Sequence, residues 1–479
     1  METSQQRIER RLRGARRPSM ACAAAVIAAL ASSASARDLE QILRDKKIID
    51  PVEANEAEAA KERQQAATDK AVSAIPSLPE WLGRTTFFGD VRVRNELFLR
   101  DGDKDRDRER FRLRFGAKVQ ATDEAEIGLK LASGNANDPI SNNQTFTDEF
   151  TFKNINIANA YLKLMPSKSI GLDRPWLTLM GGKFDQPMYV PPAPSMTVFD
   201  KDLTPEGFWE SLKPLEQKEG VLRGLAVNLG QWIFEENSKT GEAAIYGFQG
   251  VGNLAFGDVL WNIGVADYKY VDASSIAVAR NKNSSLNITN NVTLSDGETV
   301  GGRPIDPATA GPNKNGTTAP TVDPVTGATI SGKPITIIRF ESEFNDVNVG
   351  TDVLIPTSLP AWPLRLFGDY VKNTEAKGSD DQGFEAGVSI GALKDPGDVT
   401  LTYAYERLET DAVVSAFSDS DFGHDGGTNT KAHIVQAGVV LNKYLTLVST
   451  AYFDKPIDEV SGRNPKHDVR WQMDFLGKF

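Results

Sequence analysis

Residues 87–100 have the sequence FFGDVRVRNELFLR, in which apolar and charged side chains alternate. Val91 and Val93 occupy odd positions, whereas Arg92 and Arg94 occupy even ones. Successive side chains of a β-strand point to opposite faces, so a period of two separates the two kinds of residue. The stretch therefore predicts a strand with one apolar face and one strongly charged face.

The same alternation recurs along the chain. It is present in RDRERFRLRFGAKVQ (106–120), in AEIGLKL (125–131) and in DVRWQMDFLGKF (468–479), which ends the chain. Seven short connections alternate with eight longer polar ones, which predicts about sixteen strands of roughly ten residues. Short turns on one rim and longer loops on the other are typical of outer-membrane barrels, in which closure leaves no unpaired strand edge in lipid.

The even-numbered charges indicate which face points inward. An Arg or Lys on the lipid face at the membrane centre costs about 2–4 kcal/mol, so these side chains must face the lumen. A lumen with so much charge is hydrated, and a barrel of this size encloses an aqueous channel. We therefore predict an all-β fold, a transmembrane antiparallel β-barrel of about 16 strands. Its basic lumen wall comprises Arg92, Arg94, Arg110, Arg112, Arg114, Lys118 and Lys130.

Aromatic residues lie at the ends of the predicted strands. Trp81, Trp176, Trp261 and Trp362 flank short connections, which is typical of an aromatic girdle at the periplasmic rim. Tryptophan buried at strand ends in an ordinary core is the alternative. The chain ends on Phe479, which resembles the C-terminal signal that delivers bacterial barrels to their assembly machinery.

The N-terminal region differs from the rest in composition. Residues 1–36 combine a basic start, an apolar run and Ala34-Ser35-Ala36, which predicts a signal peptide cleaved after Ala36 rather than a short membrane anchor. Residues 37–84 are rich in Ala, Glu, Lys and Gln, which favour helix. Because this region lacks a packed apolar core, we predict a periplasmic helical extension rather than a plug.

Composition excludes several classes of protein. The chain has one Cys and three widely spaced His among 479 residues, so neither a disulfide framework nor a histidine metal site is expected, and no cofactor is predicted. The net charge of −11 argues against nucleic-acid binding. No stretch of 18 apolar residues is present, which excludes a helical membrane protein.

The barrel portion resembles the putative porin family of bacterial outer membranes. The resemblance is carried by GDVRVR (89–94), LKLASGNANDP (129–139), GKFDQP (182–187) and FDKDLTPEG (199–207). It implies an exported outer-membrane barrel of a Gram-negative bacterium, passive transport and a homotrimer in outer-membrane lipid. The Asn-, Thr-, Gly- and Pro-rich insert at 273–334 departs from the family and predicts a long flexible surface loop.

The loop at 185–205 is the best candidate for a constriction, because five prolines stiffen it and the resemblance is dense there. Its acids, with one just beyond, are Asp185, Asp200, Asp202 and Glu206. We expect the loop to fold inward and face the basic wall, so that the two create a transverse field in a narrow eyelet. The alternative is that the loop packs outside on the rim.

These observations predict a water-filled porin for small hydrophilic solutes and ions, which is not an enzyme. A solute-selective channel is the alternative within the same class. Two alternatives come from other classes. One is a barrel-borne hydrolase that uses Asp419, Asp421 and Asp425 around His424, and the other is an adhesin whose loop at 273–334 binds a partner.

Overall fold

The structure is a computed structural model that describes residues 80–100, 104–236, 242–295, 297–302, 321–322, 329–330, 336–423, 426–458 and 468–479. The predicted signal peptide and nearly all of the predicted helical extension lie outside these residues. The described part of the extension ends in a single helical turn, Glu80–Gly83. No helix in the described part of the chain is long and apolar enough to span a membrane.

Sixteen long strands follow this turn. They are β1 Thr85–Arg100, β2 Arg106–Thr122, β3 Ala125–Ser133, β4 Ile155–Leu164, β5 Leu177–Lys183, β6 Glu206–Glu216, β7 Leu222–Glu235, β8 Ala243–Phe256, β9 Val259–Val271, β10 Asn345–Ile355, β11 Leu364–Asn373, β12 Gln382–Gly391, β13 Val399–Leu408, β14 Thr430–Asn442, β15 Leu445–Pro456 and β16 Asp468–Lys478.

The strands form one antiparallel sheet in which neighbours in sequence are neighbours in space. The first and last strands close it, since β1 pairs with β16 from Asp90↔Lys478 to Arg100↔Asp468. Gly89 and Phe479 also exchange backbone hydrogen bonds of 3.0 and 3.1 Å across this seam. The predicted closed barrel of about sixteen strands is confirmed.

The two faces of the strands differ as the alternation predicts. Along β1, the even-numbered side chains from Asp90 to Arg100 are buried, whereas Val91 and Val93 are 42% and 45% exposed. Phe115 and Leu129, on the next two strands, are exposed to a similar degree. The apolar residues form the outer, lipid-facing surface, and the charged residues line the interior.

Two turn segments, 394–398 and 440–443, form a separate small unit. Gly397 N donates to Val440 O at 2.8 Å, and Val440 N donates to Asp398 O at 2.9 Å. These backbone bonds hold the two turns side by side.

Several long connections are compact and buried. The described part of the connection after β9 contains a helix, α1 Ser274–Ala279, and five short strands. They are Val292–Leu294, Thr299–Val300, Thr321–Val322, Thr329–Ile330 and Ile337–Phe340. Ile288 and Val292 in this connection are completely buried. The described residues 273–302 are therefore folded, which differs from the flexible surface loop that composition predicts. The reason is that their scattered apolar side chains find a common core with residues 412–417.

Candidate solute constriction

The basic residues of β1 and β2 form a compact group on the inner wall. Arg92 pairs in register with Arg112, and Arg94 pairs with Arg110, so four guanidinium groups lie on two adjacent strands. Arg92, Arg94 and Arg112 are 6%, 3% and 5% exposed. Like charges this close need counter-charges, and the wall itself provides most of them.

Two acidic residues of the wall bind three of its arginines. Asp474 on β16 accepts bonds from Arg94 Nε at 2.6 Å and Nη2 at 2.7 Å. Asp90 on β1 accepts bonds from Arg112 Nη2 at 2.8 Å and Arg114 Nε at 2.7 Å. The arginine fork suits such two-point contacts with carboxylates, which makes these pairs rigid.

Glu96 on β1 neutralises a second set of arginines, and its side chain is completely buried. Its carboxylate accepts bonds from Arg108 Nε at 2.6 Å and Arg470 Nη2 at 2.8 Å, and Arg110 Nη1 lies 3.7 Å away. Arg470 is an even-numbered residue of β16, so the period-two pattern places it on the same face as Glu96.

The connection after β13 adds an acid to the basic wall that the sequence indicated only for the hydrolase alternative. Asp421 in this 409–429 segment lies 2.8 Å from Arg94 Nη1 and 2.7 Å from Arg470 Nη2. The segment therefore reaches the inner face of β1 and β16. Asp421 lies 327 residues from Arg94 in sequence, and no local pattern relates the two.

The predicted constriction-loop acids have different partners. Asp202 lies 3.4 Å from Arg114 Nη1 and 3.7 Å from Arg112 Nη1, so it contacts the basic wall. Asp200 instead accepts backbone N–H groups from Asp202 at 2.7 Å and Ser420 at 2.8 Å. Its carboxylate therefore holds the connection between β5 and β6 against the 409–429 segment. This connection, residues 184–205, contains the predicted constriction loop at 185–205 and is called the 184–205 segment.

The other two acids lie where the loop joins the strands. Asp185 forms an ion pair with Lys130, and Glu206 Oε1 lies 2.8 Å from Lys183 Nζ. Lys118, the remaining basic residue, is exposed and lies 5.6 Å from the centre of the Phe88 ring. Lys118 is therefore apart from the arginine group, whereas Arg92, Arg94, Arg110, Arg112 and Arg114 lie together.

The 184–205 segment crosses the barrel interior. Tyr189 N donates to Gln249 Oε1 on β8 at 2.8 Å, and Tyr189 Oη donates to Asp352 on β10 at 2.7 Å. Thr197 hydrogen-bonds to Asp369 on β11, and Ser195 Oγ lies 3.2 Å from Asp419 Oδ2. These contacts anchor the segment to the wall that lies far from β1 along the sheet.

That wall carries an acidic row. Asp369 on β11, Glu385 on β12 and Glu406 on β13 lie in register on three adjacent strands. They are 7%, 2% and 0% exposed. Within the described residues, no Lys or Arg lies within ion-pair distance of these three carboxylates. The inner wall therefore carries arginines along β1 and β2 and carboxyl groups along β11 to β13.

The acids of the hydrolase alternative, where the structure describes them, are bound by neighbouring side chains. No three His, Cys, Asp or Glu side chains among them converge on a common point that could hold a metal ion. Asp421 is held by two arginines, and Asp419 by Ser195. His424 and Asp425, which the hydrolase alternative needs, lie outside the described residues. Asp138, after β3, has its pKa raised to about 6 by burial.

Comparison with known proteins identifies the chain. It matches the family described as "Putative porin" over residues 97–224 and 341–479, which is more than half of its length. The protein belongs to this family. The family and the closed barrel together establish a porin of the bacterial outer membrane, a channel through which small solutes pass. No curated protein matches the chain.

Several solved structures are similar to this chain. OprB of Pseudomonas putida, at high pH, superposes with a TM-score of 0.51 at 11% identity, covering 84% of this chain and 96% of that one. OmpF of Salmonella typhi in complex with daunomycin gives 0.43 at 9% identity, over 82% and 97% of the chains. An anion-selective porin from Comamonas acidovorans gives 0.40 at 13% identity, over 82% and 99%. The match to OprB supports the barrel fold of this porin.

Proposed function

We propose that this porin conducts small hydrophilic solutes and ions through an eyelet bounded by the basic wall and the 184–205 segment. The single observation that carries the proposal is the separation of charge inside the barrel. Arginines cluster on β1 and β2, whereas β11 to β13 carry a row of carboxyl groups that form no ion pair with a Lys or Arg among the described residues. A field across a narrow aqueous passage orders water and admits small polar solutes.

The carboxyl groups that face the basic wall in this proposal differ from those that the sequence predicts. The wall strands β11 to β13 supply carboxyl groups that have no ion pair among the described residues. In contrast, Asp185 and Asp202 of the 184–205 segment, and Glu206 at the start of β6, are each paired with a cation. The segment contributes by narrowing the passage and by bringing Asp202 to Arg112 and Arg114. Its proposed role is therefore mainly steric, with Asp202 as the acid that tunes selectivity.

Reversal potentials in a KCl gradient across planar bilayers test the eyelet. Arg112→Ala with Arg114→Ala should shift the selectivity toward cations, because two positive charges leave the wall. Asp200→Asn with Asp202→Asn should shift it toward anions. Arg174→Ala is the matched control, because its guanidinium bonds Pro214 O and Glu216 at the end of β6, near a short turn. Unchanged reversal potentials for both double variants would contradict the eyelet and leave a wide, unselective pore.

The assembly remains part of the proposal. We infer a homotrimer, delivered to the membrane by recognition of Phe479, after a signal peptide is removed behind Ala36. The resemblance to the porin family supports the trimer, and the exposed apolar outer face of the barrel offers surface for it. A detergent-corrected mass near that of one chain, by sedimentation equilibrium, would contradict the trimer. An N-terminal sequence of the mature protein that does not begin at Arg37 would contradict the cleavage site.

A further inference from the structure

The four central arginines of the basic wall are not equally neutralised. Arg94 and Arg112 form one diagonal of the group, and each makes two hydrogen bonds to a single carboxylate group. Arg92 and Arg110 form the other diagonal, and neither hydrogen-bonds directly to a carboxylate among the described residues. Asp474 and Glu96 are the nearest acids, at 3.7 Å in each case.

Neutral side chains occupy the places that counter-ions would take on this second diagonal. Arg92 Nη2 donates to Asn143 Oδ1 at 2.7 Å, and Arg110 Nη2 donates to Ser141 Oγ at 3.4 Å. Asn143 Nδ2 also donates to Ser141 Oγ at 3.2 Å, so both acceptors belong to one small network after β3. An amide and a hydroxyl satisfy donors without cancelling charge, so Arg92 and Arg110 are balanced only by the carboxylates at 3.7 Å.

Arg92 and Arg110 also retain N–H donors that make no hydrogen bond within the described residues. Arg92 is only 6% exposed, yet its Nε–H has no hydrogen-bond partner in the described part of the chain. The Nε–H of Arg110 likewise has no hydrogen-bond partner in that part of the chain. A buried guanidinium with an unused donor, whose nearest carboxylate lies at 3.7 Å, favours an oxyanion, because charge-assisted hydrogen bonds to carboxylate or phosphate oxygens are the strong ones.

We propose that Arg92, Arg110, Ser141 and Asn143 form an oxyanion-binding site in the channel wall, where a solute bearing a carboxylate or phosphate group binds during transit. The solute oxygen displaces Asn143 Oδ1 from Arg92 and spans to Arg110. The site makes the channel saturable for such anions, whereas chloride passes with little retention. The inference rests on the proposed channel function and adds the class of solute to it.

Substitution of Asn143 provides the sharpest test. Asn143→Asp keeps the size of the side chain but places a carboxylate permanently against Arg92, so the site is filled by the protein itself. Asn143→Ala is the matched control, because it removes the neutral acceptor and adds no charge. The full-length protein is expressed, purified from outer membranes and inserted into planar bilayers in KCl. Inorganic phosphate and acetate are then added separately, and the chloride conductance is recorded.

The expected result for the unaltered protein is a saturable decrease of chloride conductance with added phosphate or acetate. Asn143→Asp should raise the half-blocking concentration by roughly tenfold, the factor expected when one charge-assisted bond is lost. Asn143→Ala should lower it by about threefold, because the solute no longer has to displace Asn143 Oδ1 from Arg92. Arg92→Gln with Arg110→Gln should abolish saturation.

Three outcomes would overturn the site. The first is that neither anion reduces the chloride conductance. The second is that both anions block Asn143→Asp as strongly as the unaltered protein. The third is that Asn143→Ala loses as much block as Asn143→Asp. These outcomes differ from a failure of the channel function, which would appear as no conductance step at all in KCl. Block by phosphate alone, without acetate, would support the site and restrict its solutes to phosphate-bearing ones.

Discussion

Replacement of Glu96 by Gln tests how the wall holds its arginines. The carboxylate is completely buried and lies 2.6 Å from Arg108 Nε and 2.8 Å from Arg470 Nη2. The amide keeps the shape but loses the negative charge, and its NH₂ group is a donor, so it cannot accept both arginine bonds. One charge-assisted bond, worth about 1.5–3 kcal/mol, is therefore lost. The arginines also lose their buried counter-charge, and the removal of one partner of a buried ion pair costs about 3–5 kcal/mol, which is the destabilisation that we expect.

Urea unfolding of the barrel in phospholipid vesicles, followed by tryptophan fluorescence, measures this loss. Glu216→Gln is the control, because its side chain is 73% exposed and its partner, Arg174, lies 3.4 Å away at the surface. That change should cost below about 1 kcal/mol. The variant Glu96→Gln with Arg108→Gln should be less destabilised than the sum of its parts, since the two groups are in contact.

The same substitution has an electrical consequence. Glu96→Gln removes one negative charge from the arginine group, so the reversal potential in a KCl gradient should move toward anion selectivity. A loss of stability below about 1 kcal/mol, together with an unchanged reversal potential, would refute the reasoning. It would mean that Glu96 neither neutralises the arginines nor contributes to the charge of the passage.

Two further predictions concern the ends of the chain. Deletion of residues 38–70 should leave single-channel conductance almost unchanged, because the segment is predicted to be an extension, and a large rise in planar-bilayer conductance would instead identify a plug. Phe479→Ala should lower the amount of folded barrel in the outer membrane, since the residue is the proposed assembly signal. The ring of Phe479 also stacks on Phe115 at 6.5 Å, so refolding of the purified variant into detergent is the control. Equal amounts of variant and unaltered barrel in the outer membrane would contradict the proposed role of Phe479 as an assembly signal.

Much of the barrel and of its inner face could be predicted from the sequence. Side chains of a strand alternate between its two faces, so the even-numbered residues of β1 and those of β2 each lie on one face. That face must point into the barrel, because a charged side chain in contact with lipid is destabilising. Asp90, Glu96, Asp474 and Arg470 follow the same parity. Their position on the inner face follows from the same alternation.

Only the tertiary structure decided what these charges contact. Asp421 meets Arg94 across 327 residues, and Asp369, Glu385 and Glu406 form a row because three strands pair in one particular register. The inward course of the 184–205 segment rests on hydrogen bonds to distant strands such as β8 and β10. Local periodicity carries no information about register, strand order or loop direction. These depend on which distant groups can satisfy one another once the barrel closes.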